Sequence, residues 1–199
     1  SSSPRPSTAK AGGDKHRLMY RLFVALSLPE VVADALTQLQ SGLKGARWLP
    51  EENLHLTLQF IGEVDRHGFS EASAALGAIA APGFDLRLSG AAYFGDRKPR
   101  ALWAGAAAEP ALQHLQTKVA TALTRAGLPV EKRKFAPHVT IAYLKGISRE
   151  HAAEFAAMHG LFACGPFPVG AFHLYRSHPG GEGAHYEILE TFPLAAGER

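Results

Sequence analysis

Two stretches of the chain, NLHLTLQF at Asn53–Phe60 and PHVTIAYL at Pro137–Leu144, alternate apolar and polar positions. That alternation is the pattern of a β-strand with one face in a core. Both strands spend their polar phase on the same pair of residues, His55 and Thr57 in the first, His138 and Thr140 in the second. Residues two apart share a strand face, so each pair points the same way.

The rest of the chain sets these strands in a repeating order. YRLFVALSLP reads as a strand ended by Pro29, which then serves as the first position of a helix with Val32, Leu36, Leu39 and Leu43 at helical spacing, punctuated by Gly42 and Gly45. An alanine-rich helix follows the first motif from Asp65 to Ala81. FDLRLSGAAYF and RALWAGAA are strands on either side of a basic turn, GDRKPR. Glu109-Pro110 opens a helix with Leu112, Leu115, Val119 and Leu123 on one face and Gly127 past its end. A helix from Ser148 to His159, with Ser148 as N-cap, follows the second motif. The strands VGAFHLYRS and HYEILETFPL then flank a glycine-rich loop, HPGGEGA. Each motif strand thus follows one helix and precedes another. The expected architecture is α+β and bilobal: two pseudo-symmetric, mostly antiparallel sheets with flanking helices and a cleft between the lobes.

Composition narrows this little, but charge changes the picture. A chain of 199 residues with 46% hydrophobic residues suits a single bilobal domain, expected over 16–199, behind a Ser/Pro/Gly-rich tail at 1–15 expected to be disordered. The formal charge of +3 looks like a nucleic-acid signal. It is contributed by Arg5, Lys10, Lys15 and Arg17 against Asp14, so the body is close to neutral and any anion must be held by a local pocket. The single cysteine, Cys164, excludes an internal disulfide and a cysteine-cluster metal site. No run is long and apolar enough for a membrane span, and the N-terminus lacks a signal-peptide layout, so the expected location is the cytoplasm.

Two imidazoles and two hydroxyls converging across a cleft suit general acid–base catalysis at phosphorus. Imidazole titrates near neutrality, so one ring can accept a proton while the other donates one, and each hydroxyl can hold a non-bridging oxygen. Water serves as nucleophile, and this chemistry calls for no metal and no cofactor. A buried histidine bonded to a nearby threonine is also an ordinary core feature, and two copies at matching places in a repeat are what favour the catalytic reading.

At these residues the chain resembles the 2H phosphoesterase superfamily, which is defined by two His-x-Thr/Ser-x motifs, and within it the RNA 2′,3′-cyclic phosphodiesterases, also called 2′-5′ RNA ligases. The likeness runs from RLFVALSLP through RWLPEENLHLTLQFIGEV, PRALWAG and FAPHVTIAYL to LYRSHPGGEGAHYEILETFPL. The resemblance implies metal-independent hydrolysis of a 2′,3′-cyclic phosphate, on RNA ends or nucleotides, to a 2′-phosphate, with 2′-5′ ligation as the reverse. It implies His55 as the acid on the departing 3′ oxygen, His138 as the base on water, and Thr57 and Thr140 as phosphate ligands. Many members place an arginine five residues past the second histidine. Here that position is Tyr143, which donates a hydrogen bond but carries no charge. Arg133, Lys134 and Arg176 are candidate substitutes. Trp48 and Phe135 are candidate stacking surfaces for a base. The missing arginine also keeps open a nucleotide-binding module without turnover, and the motifs leave room for another phosphodiester such as a 2′-5′ oligoadenylate.

Overall fold

The computed structural model describes residues 18–181 and 183–196; the tail expected to be disordered lies outside them. The described residues form an α+β fold. Its strands are β1 (Tyr20–Ser27), β2 (Arg47–Trp48), β3 (His55–Val64), β4 (Phe84–Phe94), β5 (Ala101–Ala106), β6 (His138–Tyr143), β7 (Ala163–Val169), β8 (Ala171–His178) and β9 (His185–Pro193). Its helices are α1 (Glu30–Thr37), α2 (Arg66–Gly77), α3 (Pro110–Arg125) and α4 (Arg149–Met158).

The two expected sheets are halves of one. Strand order is β7-β4-β5-β6-β3-β1-β8-β9, with β2 added beside β6, and every strand pair is antiparallel. The halves meet at a single residue pair, Leu56 opposite Val139. Everything else about the site follows from this narrow seam.

The apolar phases of the strands and the helices fuse into one core. Leu22, Val24 and Leu26 of β1 and Leu56 and Leu58 of β3 share it with Leu102, Val139 and Ile141 from the other half. The helices α1 to α4 contribute Leu36, Leu76, Leu115 and Phe155 among others, all buried. The helices therefore cover one face of the sheet. On the opposite face Phe23, Ala25 and Tyr175 make a separate small cluster with Tyr186. β1 is buried without a break from Leu22 to Leu26 because its two faces serve different clusters.

Capping fixes the helices that flank the motif strands. Asp65 accepts from the Gly68 N–H, Glu109 from Ala111 and Ser148 from His151, while Gly127 turns the chain at φ +77° after α3. Two helices are shorter than the periodicity predicts. α1 stops at Thr37, so Leu39 and Leu43 lie beyond it; the Gln40 amide donates to the carbonyls of Leu49 (2.8 Å) and Ile141 (3.0 Å) and pins the turn there. α2 stops at Gly77 because the backbone beyond it is claimed by the C-terminal segment, Ala195 N–H donating to Ala81 O at 2.9 Å. Two strands lack a sequence signal. β2 has two residues, and β7 (ACGPFPV) carries two prolines, which an edge strand bonded only to β4 tolerates.

Candidate active site

The seam builds the site. Leu56 and Val139, each with 0% exposure, point into the core, so the residues on either side of them point out of it. Antiparallel pairing then sets His55 beside Thr140 and Thr57 beside His138 across the junction. All four line one cleft of about 660 Å³ on the helix-free face, a volume suited to a nucleotide-sized ligand. On the far side of β6, His138 stands opposite Gly105 of β5. A Cβ at Gly105 would come within 2.7 Å of Ser89 O, so glycine is what lets β4 and β5 close up behind the histidine.

The two histidines are held identically. His55 donates from Nδ1 to Asn53 O at 2.8 Å, and His138 from Nδ1 to Ala136 O at 2.7 Å. A carbonyl can only accept, so Nδ1 carries the proton in both rings and the lone pair of the neutral form sits on Nε2. Aromatic rings fix the ring planes. His55 packs against Phe23 and Tyr186 at centroid distances of 4.9 and 5.2 Å, and His138 against Phe94 and Trp103 at 4.9 and 5.7 Å. Thr57 and Thr140 are half-buried, and neither hydroxyl is hydrogen-bonded within the described residues. Both are available as donors.

Burial pushes His55 down to about 4, with the nearby His138 adding to the effect against the opposing Asn53 hydrogen bond. Burial also lowers His138, opposed by its bond to Ala136. At neutral pH the free protein therefore presents two neutral imidazoles. Burial holds Tyr186 up at about 12, reinforced by the Tyr143 phenol, while Arg21 and Arg47 pull the other way.

The remaining candidates divide. Tyr143, Arg133 and Phe135 line the cleft or its apolar extension of about 420 Å³, which runs past His138 between Phe94 and Phe135 and also takes in Lys134. Arg133, however, is ion-paired with Glu131 at 2.7 Å, so its charge is already matched. Trp48 packs on Phe155 at 5.8 Å, partly buried against the core, and does not line the cleft or its extension. Arg176 lies over the Tyr20 ring at 4.5 Å and lines an adjoining hollow, not the histidine cleft. Among the described residues no group of three or more His, Cys, Asp or Glu side chains is placed to hold a metal ion, and His178 bonds Glu187 at 2.6 Å.

Two arginines are absent from the sequence-based candidates. Arg21 lines the cleft beside Phe23. Arg47, paired with Tyr143 across β2 and β6, places its guanidinium 5.5 Å from the Tyr143 ring centre. A cation thus stands next to the position where the charge of the usual arginine is missing. The signal for Arg21 was available, since β1 alternates Arg21, Phe23, Ala25 and Ser27 on one face. Arg47 had none, because a two-residue strand leaves no pattern.

Fold and site together define a two-lobed α+β protein with a paired His-x-Thr cleft on its open face. The chain belongs to the 2′-5′ RNA ligase superfamily, whose profile matches residues 28–181. It is 34% identical over 181 residues to an RNA 2′,3′-cyclic phosphodiesterase of Geobacillus stearothermophilus, spanning 86% of this chain but only 56% of that protein. The enzyme of the same name from Thermus thermophilus is 34% identical over 186 residues, covering 87% of this chain and 90% of its own length. The crystal structure of E. coli LigT complexed with 3′-AMP superposes with a TM-score of 0.73 at 26% identity, covering 89% of this chain and 99% of that one. No helix among the described residues is long and apolar enough to cross a membrane.

Proposed function

We propose that the cleft hydrolyses the 2′,3′-cyclic phosphate of RNA ends or nucleotides to a 2′-phosphate, by acid–base catalysis between His55 and His138. The observation that carries this reading is the matched pair of rings, each clamped through Nδ1 with Nε2 left for the substrate. The family and the names of its relatives support the substrate class.

In the reaction, His138 Nε2 takes a proton from water as its oxygen attacks phosphorus, and the P–O3′ bond breaks. His55, protonated on Nε2, gives that proton to the departing 3′ oxygen, leaving phosphate on O2′. Thr57 and Thr140 donate to the non-bridging oxygens, and Arg21 supplies positive charge beside them. Phe135 and Phe94 offer a stacking wall for the base, and Tyr143 closes it. With a 5′-hydroxyl in the place of water, the same step forms a P–O5′ bond as the P–O3′ bond breaks, and leaves a 2′-5′ linkage. The assay is hydrolysis of adenosine 2′,3′-cyclic phosphate in excess chelator with both monophosphate isomers resolved. The expected product is the 2′-phosphate alone; formation of the 3′-phosphate, or loss of turnover on chelation, would overturn the scheme.

The histidine environment predicts a pH profile. Turnover needs one ring charged and one neutral. Both rings are lowered below 6.5, so near neutrality the one-proton form of the free protein is a minority that grows as the pH falls. The scheme draws on the form with His55 charged and His138 neutral, so kcat/KM should climb as the pH falls below 6.5 and be lost again once both rings are charged. The substrate's negative charge raises both rings once bound, so the kcat profile should sit at higher pH than that of kcat/KM. Coincident profiles centred above neutrality would contradict the two buried neutral rings.

The competing reading is a nucleotide sensor without turnover, suggested by Tyr143. The guanidinium of Arg47, 5.5 Å from the centre of that ring, puts a cation beside the same position and weighs against it.

A further inference from the structure

Beside the cleft lies a second hollow of about 480 Å³, lined by Arg21, Arg47 and Arg176 with Ser177 and the glycine-rich loop between β8 and β9. The two spaces are continuous, for Arg21, Ser177 and Ala184 line both. We propose that this hollow is a second phosphate site, which holds the phosphate on the 5′-oxygen of the nucleoside whose cyclic phosphate lies between the histidines. This deepens, and rests on, the cyclic-phosphate reading. It makes the preferred substrate an oligonucleotide end or a 5′-phosphorylated nucleotide, not a bare nucleoside cyclic phosphate.

What marks the hollow is convergence: Arg21, Arg47 and Arg176 line one space, and none of the three has an ion pair among the described residues. Among the described residues the carboxylate lining the hollow is Glu63, the cross-strand neighbour of Arg21, while Glu187 stands across from Arg176. His178 at the rim is taken up by Glu187. Two of the guanidiniums are instead fixed by aromatic faces, Arg47 over Tyr143 at 5.5 Å and Arg176 over Tyr20 at 4.5 Å. A ring face orients a guanidinium without occupying its N–H fork, so these donors stay free for a bidentate oxyanion. The loop closes the far wall: a Cβ at Gly183 would stand 3.7 Å from an Arg47 terminal nitrogen. With the base on the apolar side past His138 and the cyclic phosphate at the seam, the 5′ side of the ribose is left to run toward the arginines.

The test compares three substrates on the same protein: adenosine 2′,3′-cyclic phosphate, its 5′-phosphorylated form, and the dinucleotide ApA ending in a 2′,3′-cyclic phosphate. Both substrates bearing the second phosphate should show kcat/KM about tenfold or more above the nucleoside form, with an advantage that shrinks as salt is raised. In the double variant Arg47→Gln/Arg176→Gln the ratio should collapse to within about twofold. Equal rates for all three substrates in the wild type would overturn the site, and this comparison needs no variant to fold. A gain for the dinucleotide without one for the 5′-phosphate would also overturn it, because the added nucleoside and not the phosphate would then be recognised. Calorimetric titration with adenosine 2′-phosphate and adenosine 2′,5′-bisphosphate separates the two proposals. If no substrate turns over but the bisphosphate binds about tenfold tighter, and the double variant loses that difference, the arginine site stands and the hydrolase reading falls.

Discussion

Alanine at either His55 or His138 should lower kcat for cyclic-phosphate hydrolysis by about 10²–10⁴-fold, the range for a positioned proton-transfer group. Nucleotide affinity should change far less, because the threonines, Arg21 and the aromatic walls that hold the ligand remain. The double variant should fall little below the worse single one, since the rings act in the same step and their losses do not add. Single-turnover kinetics alongside product-binding titrations read the two quantities separately. A variant that keeps a third of the wild-type kcat would remove that histidine from the reaction. One that loses affinity in proportion to rate would favour the sensor reading instead.

Leu56→Ala should be the most damaging core substitution for function. Deleting a fully buried leucine costs about 2–5 kcal/mol, through lost burial and the cavity left behind. Leu123→Ala, equally buried but on the helix α3 and not on a motif strand, should cost a similar amount. The two variants part company in activity. Leu56 is half of the one pair that joins the halves of the sheet, and His55 and Thr57 are its immediate neighbours. Its loss should reduce kcat at temperatures where the protein is still folded, whereas Leu123→Ala should retain it. Denaturant unfolding with kcat measured well below the transition makes the comparison. Equal kcat losses in both variants would mean the seam has no special role in aligning the quartet.

Much of this site is legible in the chain because its chemistry rides on strong periodic elements. β3 and β6 each have enough alternating residues to show which phase is polar, and the intervening helices carry their own caps, so the quartet and the α+β order can both be read. What escapes the sequence depends on non-local contacts. β7 is unrecognisable because its prolines are tolerated only by its edge position. Arg47 reaches Tyr143 through a two-residue strand whose partner lies far along the chain. Arg176 lies near the closing motif, but that its strand face sets it over Tyr20 and beside the second hollow is not announced by any local pattern. Trp48 sits beside a loop, but pairing with Ala142 seats it against Phe155. Arg133 lines the cleft, and its pairing with Glu131 two residues earlier is an exposed contact that the sequence does not single out. That the sheets join at one pair is also invisible, since the repeat fixes the order of strands but not which edges meet.

The identical clamps on the two histidines carry a consequence for product identity. Each ring is tethered from the same nitrogen to the carbonyl two residues back, on strands related by the internal repeat. The tethers alone thus do not tell the two imidazoles apart, and under the proposed scheme they do not decide which gives and which takes the proton. Direction must come from the ends of the groove, which differ sharply: an aromatic slot past His138 and an arginine hollow beside β1. The choice between the 2′- and 3′-isomers then becomes a matter of how the substrate is threaded, and redesigning the two ends, with the histidines untouched, is the route to reversing it.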